Sequence, residues 1–143
     1  MATLSPYLSF NGNCREAFSL YKSVFKKEFA FVGLYKDMPS EQPIPESEQN
    51  KIMHISMPIN EYVCLMGSDT SEHCGQKTTF GDNVSISISC DTEEEAKRIF
   101  TELSAGGKVI MPLEMQFWGA LYALFTDKFG VAWMVSCDCS KKK

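Results

Sequence analysis

A short alternating segment that turns at once into a helical pattern occurs twice in this chain, and that duplication limits the folds open to it. The first copy is PYLSFNGNCREAFSLYKSVF, residues 6–25. Pro6, Leu8 and Phe10 alternate with Tyr7 and Ser9, the period of a strand with one face on a core. Asn13 and Glu16 then have capping-box spacing, and Ala17, Leu20, Tyr21, Val24 and Phe25 recur at helical intervals. The second copy is VSISISCDTEEEAKRIF, residues 84–100. Here Val84, Ile86 and Ile88 alternate with Ser85, Ser87 and Ser89, Thr92 and Glu95 form the capping pair, and Ala96, Ile99, Phe100 and Leu103 form the stripe. The helices correspond at a separation of 79 positions and the strands at 78, which predicts a strand-to-helix loop one residue longer in the second copy.

Each helix is followed by three β-rich segments, at 29–35, 52–58 and 62–67 in the first half and at 108–112, 118–126 and 131–136 in the second. The Pro-, Ser- and Glu-rich run DMPSEQPIPESEQN reads as an exposed loop. Gly106-Gly107 stops the second helix, and Asp127 to Gly130 makes the last turn. The chain thus reads as α+β, a single domain over 1–143 made of two βαβββ modules, at about 1–68 and 83–143, joined by a polar loop at about 69–82.

Composition narrows the function classes. A net charge of −4 with scattered lysines and arginines offers no basic face to neutralise several phosphates, so nucleic acid is not an expected partner. The lysines at 141–143 read as a solvated tail. No apolar run approaches the ~20 residues of a membrane-spanning helix, and the start lacks a secretory pattern, so a cytoplasmic location is expected. The 6 cysteines form no Cys-x-x-Cys pair and are expected as thiols. Cys137-Asp138-Cys139 and His73-Cys74 lack the spacing of a structural zinc site.

The alternation also assigns faces. Val84, Ile86 and Ile88 are expected under the helix, with Ser85, Ser87 and Ser89 on the opposite face. Two sheets closing around a shared concavity would make those serines a row of small hydrogen-bonding groups in a binding site.

With PYLSFNGNCREAFSLYKSVF, IMHISMPINEYVCLMGSD and FWGALYALFTDKFGVAWMV in that order, the chain resembles the vicinal oxygen chelate superfamily of glyoxalase I, extradiol dioxygenases and bleomycin resistance proteins, and within it the PhnB-like branch. The resemblance implies paired βαβββ modules in a cupped mixed sheet, a homodimer and a site inside the cup. Metal-dependent members carry His and Glu ligands on strands whose counterparts here fall near Ser5, Asn83 and Met134. These are poor ligands for a divalent ion, so neither a metal nor another cofactor is expected. PhnB-like proteins often bear a demethylubiquinone methyltransferase label, but no glycine-rich nucleotide loop is visible to hold a methyl donor.

The expected ligand-binding residues are Tyr7, Ser9, His54, Ser85, Ser87, Gln116 and Trp118, facing a common cavity and taking up a small organic molecule. Period two places Ile52, His54 and Ser56 on one face of their strand and Met53, Ile55 and Met57 on the other. An imidazole there can act as a base or hydrogen-bond donor, which opens an alternative: a lyase or isomerase working through His54, or a metal enzyme with atypical ligands drawn from His54, Glu61 and Glu114. Glu114 beside its aromatics is a candidate acid. Cys64 near His54 invites a thiol–imidazole reading, although a buried inert thiol fits its apolar neighbours better. Trp133 reads as core.

Overall fold

The computed structural model describes residues 2–39, 43–72 and 75–138, so the His73-Cys74 pair, Cys139 and the lysines at 141–143 lie outside the described residues. Two compact units are present, Met1–Thr79 and Phe80–Lys143.

In the first unit the order is β1 (Tyr7–Phe10), α1 (Cys14–Phe25), β2 (Phe31–Leu34), a 3-10 turn (Tyr35–Asp37), α2 (Glu46–Gln49), β3 (Ile52–Pro58) and β4 (Cys64–Asp69). The run expected as loop therefore contains one turn of helix, α2, whose Glu48 is buried, accepts a hydrogen bond from Ser71 and pairs with Lys51. The strands form one mixed sheet in the order β1-β4-β3-β2, with β1 parallel to β4 and the other pairs antiparallel.

Helix α1 packs Cys14, Ala17, Phe18, Tyr21 and Val24 against one face of this sheet. Leu20 and Phe25, expected in that stripe, are half-buried, and Cys14 and Phe18 take their place in the core. Gly67 makes the contact possible, because a Cβ there would stand 2.7 Å from both the Phe18 ring and the Leu8 carbonyl. Phe10, Ile55, Met57 and Leu65 complete the core from the strands. Ile52 is buried with them and not with His54, contrary to strict alternation. The ladder explains why: Gly33 pairs with His54 but Leu34 pairs with Ile52, so a bulge at Met53 returns Ile52 to the helix side.

The second unit runs β5 (Ile86–Cys90), α3 (Glu93–Ser104), β6 (Lys108–Met115), β7 (Ala120–Thr126) and β8 (Ala132–Asp138). Its sheet order, β5-β8-β7-β6, repeats the first, again with one parallel pair, β5 with β8. Ala96, Ile99 and Leu103 of α3 are buried over Phe125, Trp133 and Val135. Strand β6 runs on through Pro112 to Met115, which an edge strand with two register shifts tolerates.

The duplication is exact in helix length, 12 residues each, but not in the loop before the helix. Three residues, Asn11 to Asn13, separate β1 from α1, whereas only Asp91 and Thr92 separate β5 from α3, so the second loop is shorter, not longer. The caps account for the difference. Thr92 accepts the Glu95 N–H directly, but Asn13 makes no side-chain cap. In its stead Asp69, arriving from β4, accepts the N–H groups of Gly12 and Cys14, each at 2.9 Å. Gly12, at φ 114°, gives the loop the turn that brings both amides to that carboxylate. Val84 lies before β5 and is exposed, so it does not pack under α3 as expected; Ile86 and Ile88 are half-buried.

Candidate functional site

In the first unit α1 covers one face of the sheet and the register defines the other. Phe31 pairs with Ser56, Ser56 with Met66 and Met66 with Tyr7, so these four side chains form a row across the helix-free face. Ser9 pairs with Ser68 in the next row, and His54 stands opposite Gly33. Tyr7, Ser9 and His54 therefore share a face.

His54 is the centre of that face. The Tyr7 ring stacks on it at 5.7 Å between centroids and 24° between planes, and the Phe31 ring lies tilted at 5.8 Å. The Tyr7 hydroxyl is 3.3 Å from Nδ1 of His54. With Nδ1 so engaged, Nε2 has no protein partner among the described residues. Gly33 leaves room for Phe31 to lean inward, since a Cβ there would lie 2.8 Å from that ring. Tyr7 and Phe31 are each about half exposed, at 48% and 50%, so the arrangement is open to solvent.

Cys64 does not join His54. It pairs with Pro58, four residues further along β3, which places it roughly 13 Å from the imidazole. Glu61 is exposed in the β3–β4 turn.

In the second unit, Ser87, Met134, Leu124 and Met111 form one row of the helix-free face, and Ser89, Ser136, Tyr122 and Glu114 form the next. Ser87 is exposed on the edge strand β5, and Ser85 precedes that strand. Gln116 and Trp118 lie in the β6–β7 turn, where Gln116 donates from Nε2 to the Glu114 carbonyl and Trp118 packs edge-on against Phe117 and Tyr122. Three strand spacings, about 14 Å, separate β5 from β6, so the serines and this aromatic group occupy opposite margins of the sheet. Trp133 is core, its indole N–H donating to the buried Asp127 carboxylate at 2.9 Å. At the end of β5 and β8 a pocket of about 230 Å³ is lined by Ser89, Cys90, Asp91, Ser136 and Asp138.

The metal implied by the superfamily resemblance does not fit the donor set. Among the described residues no three His, Cys, Asp or Glu side chains converge, and the aligned positions offer a hydroxyl at Ser5, an amide at Asn83 and a thioether at Met134. The Ser5 hydroxyl is already engaged, accepting the Cys64 N–H.

Ser56 shares the His54 face as period two predicts, but Phe31, Met66 and Ser68 were not singled out from the sequence. Their signal was the alternation itself: with β4 ended at Gly67, Ser68 and the capping Asp69 fall in a loop, whereas β4 runs to Asp69.

Residues 2–136 match the family described as 3-demethylubiquinone-9 3-methyltransferase. Among solved structures, protein PA1353 from Pseudomonas aeruginosa is 39% identical, with a TM-score of 0.85 over 96% of this chain and 98% of its own. The PhnB protein from Bacillus cereus is 24% identical, with a TM-score of 0.76 over 95% and 99%. A glyoxalase/bleomycin resistance protein/dioxygenase family enzyme from Burkholderia phytofirmans, 14% identical with a TM-score of 0.62 over 96% and 99%, shares the fold. Twin four-stranded mixed sheets, each backed by a helix, and a family match along almost the whole chain place it in the PhnB-like 3-demethylubiquinone-9 3-methyltransferase family, on the glyoxalase/bleomycin resistance-like fold.

Proposed function

We propose that the chain binds a small organic molecule with a flat apolar part and a hydrogen-bonding group, on the helix-free face of its first sheet and without a metal ion. The observation that carries this reading is His54 held between Tyr7 and Phe31, with Nδ1 engaged by the Tyr7 hydroxyl and Nε2 left for a ligand. Two half-exposed rings supply flat apolar area, Met66 an adaptable floor, and Ser9, Ser56 and Ser68 hydroxyls for orientation. Ser85, Ser87, Gln116 and Trp118 remain proposed contacts on the second unit. A second reading, general acid–base turnover of such a ligand through His54, draws on the same Tyr7–His54 contact, which would orient the imidazole ring.

Methyl transfer, named in the family description, finds little support in these residues. The Gly12 and Cys14 N–H groups, at the turn from β1 into α1, already donate to Asp69. The first turn of α3 carries Glu93, Glu94 and Glu95, a poor receptor for an anion.

We further propose that the protein works as a homodimer in the cytoplasm. Exposed apolar residues on edge strands β2 and β6 support the first point, and buried thiols packed as small core side chains support the second.

The test is a screen of small aromatic acids, phenols and quinones by thermal shift, followed by imidazole proton resonances, with His54→Asn used to assign the two histidines. Hits should move the His54 resonance and lose about tenfold in affinity in Tyr7→Ala, in line with one lost ring contact of ~1.4 kcal/mol. Hits that leave that resonance unmoved would place binding elsewhere and overturn the proposal.

A further inference from the structure

We propose that Cys90 and Cys137 form a site of reversible oxidation, closing a disulfide between β5 and β8 when the protein meets a hydroperoxide. The two residues are direct partners in the parallel ladder, in the run of pairs that begins with Ile86 and Trp133. In-register residues on neighbouring strands lie about 4.8 Å apart, inside the ~4.4–6.8 Å between Cα atoms that a disulfide spans. Their side chains leave the sheet on one side. Cys90 continues the alternation of Ile86 and Ile88, and Cys137 that of the buried Trp133 and Val135. Both are thiols in this structure.

Packing would explain either cysteine alone. It does not explain why two thiols stand directly opposite one another across neighbouring strands, with Cys90 7% exposed and Cys137 1%. A small oxidant meets the less buried Cys90 first, and the resolving cysteine lies beside it.

The chemistry balances with hydrogen peroxide, the simplest hydroperoxide, as two-electron acceptor. The Cys90 thiolate attacks one peroxide oxygen, the O–O bond breaks, and the departing hydroxide takes up a proton to leave as water. The Cys137 sulfur then attacks the Cys90 sulfenic acid, forming the S–S bond, while the displaced hydroxide and the Cys137 proton leave as a second water. A dithiol restores both thiols by exchange.

The surroundings set the pH dependence. Burial first, then Glu95 on α3, Cys137 on β8 and Asp91 in the turn push the Cys90 thiol up to about 11, with Arg98 on α3 opposing them. Asp138 adds a further carboxylate to the pocket wall. The thiolate is therefore scarce near neutrality, and oxidation should quicken about tenfold per pH unit up to the folded value.

The experiment treats the folded 143-residue chain carrying Cys139→Ser with hydrogen peroxide at about pH 7, 8 and 9, then alkylates and maps peptides without reduction. Cys139 is replaced because it shares its tryptic peptide with Cys137. The expected result is a peptide joining Cys90 to Cys137, formed about tenfold faster per pH unit and released by a dithiol. Cys137→Ala should leave Cys90 progressing to sulfinic acid, and if that variant does not fold, the map of the Cys137-containing chain still decides. Cys90 overoxidised while Cys137 remains alkylatable after unfolding, a bridge to a different cysteine, or both thiols intact while methionines oxidise would each overturn the proposal.

Discussion

Two buried aspartates hold the turns of this chain, Asp69 from a distant strand and Asp127 as a local turn former. Asp69 accepts the N–H groups of Gly12, Cys14 and Ile52, tying the start of α1 and the start of β3 to the end of β4. Asp127 takes those of Phe129 and Val131 and the indole of Trp133. Removing either carboxylate orphans three donors at once, two of them buried. Asp69→Ala should therefore lose about 3–5 kcal/mol in denaturant unfolding, and Asp69→Asn, which keeps one acceptor, about half of that. A loss within experimental error would deny Asp69 its capping role. At the same scale, Cys90 predicts alkaline behaviour. Its thiol is raised from an ordinary 9.0 to about 11, so over that interval the folded chain retains a proton that the unfolded chain has released. Its contribution is fully present below pH 9.0 and is lost as pH rises through about 11, a fall of at most roughly 2–3 kcal/mol. Cys14, raised further by burial and by the Asp69 carboxylate, acts in the same direction. Urea melts across this range should show a shallower decline in Cys90→Ala than in the parent chain.

At the scale of elements, the two helices were legible because a stripe of apolar residues needs only its own segment to be read. The Thr92 cap and the Gly106 stop of α3 were legible too, whereas the way α1 begins was not. Asp69 lies far along the chain from the amides it caps, and no local pattern joins Asn13 to it. The bulge at Met53 was equally hidden, because alternation is blind to an inserted residue until a partner strand supplies the register. Helix α1 ends on Lys26 in the left-handed region at φ 55°, whereas Gly106 at φ 76° follows the end of α3. Lys26→Gly should therefore stabilise the protein by about 0.5–1 kcal/mol, and no change in melting would show that the cap is not strained. The faces of β5 supply a second check. Ser87 is exposed and Ile86 half-buried, so Ser87→Phe should shift stability by less than about 1 kcal/mol while Ile86→Ser removes about 2 kcal/mol. A harmless Ile86→Ser beside an unfolding Ser87→Phe would reverse the two faces. The candidate site was legible only in part, for the same reason as the bulge: Tyr7 and His54 show polar faces within their own strands, but Phe31 acquires its place over the imidazole only through the pairing of β2 with β3.

For the whole molecule, the decisive feature is what the sheets leave at their margins. Strand β2 exposes Phe31 and Val32, and β6 exposes Val109, Ile110, Met111 and Met115, continued by Phe117 and Trp118 in the following turn. Edge strands with apolar side chains and unsatisfied backbone groups invite pairing, and chains that remain dispersed blunt them with charge, proline or cover. Pro112 and the irregular register of β6 blunt its ladder but leave its apolar side chains in solvent. A second copy can cover the β6 margin with its own, because a twofold contact uses one patch twice. Light scattering should accordingly give a mass of about two chains, and the melting temperature should rise with protein concentration, as it does when folding and association are linked. Ile110→Lys, at a side chain 54% exposed in the single chain, should leave that chain folded but shift it to monomer with a lower, concentration-independent melting point. If the unsubstituted protein is monomeric at every accessible concentration, the apolar margin is not a contact between copies and the homodimer proposal is withdrawn, while the ligand proposal, which rests on His54 and its two rings, is untouched.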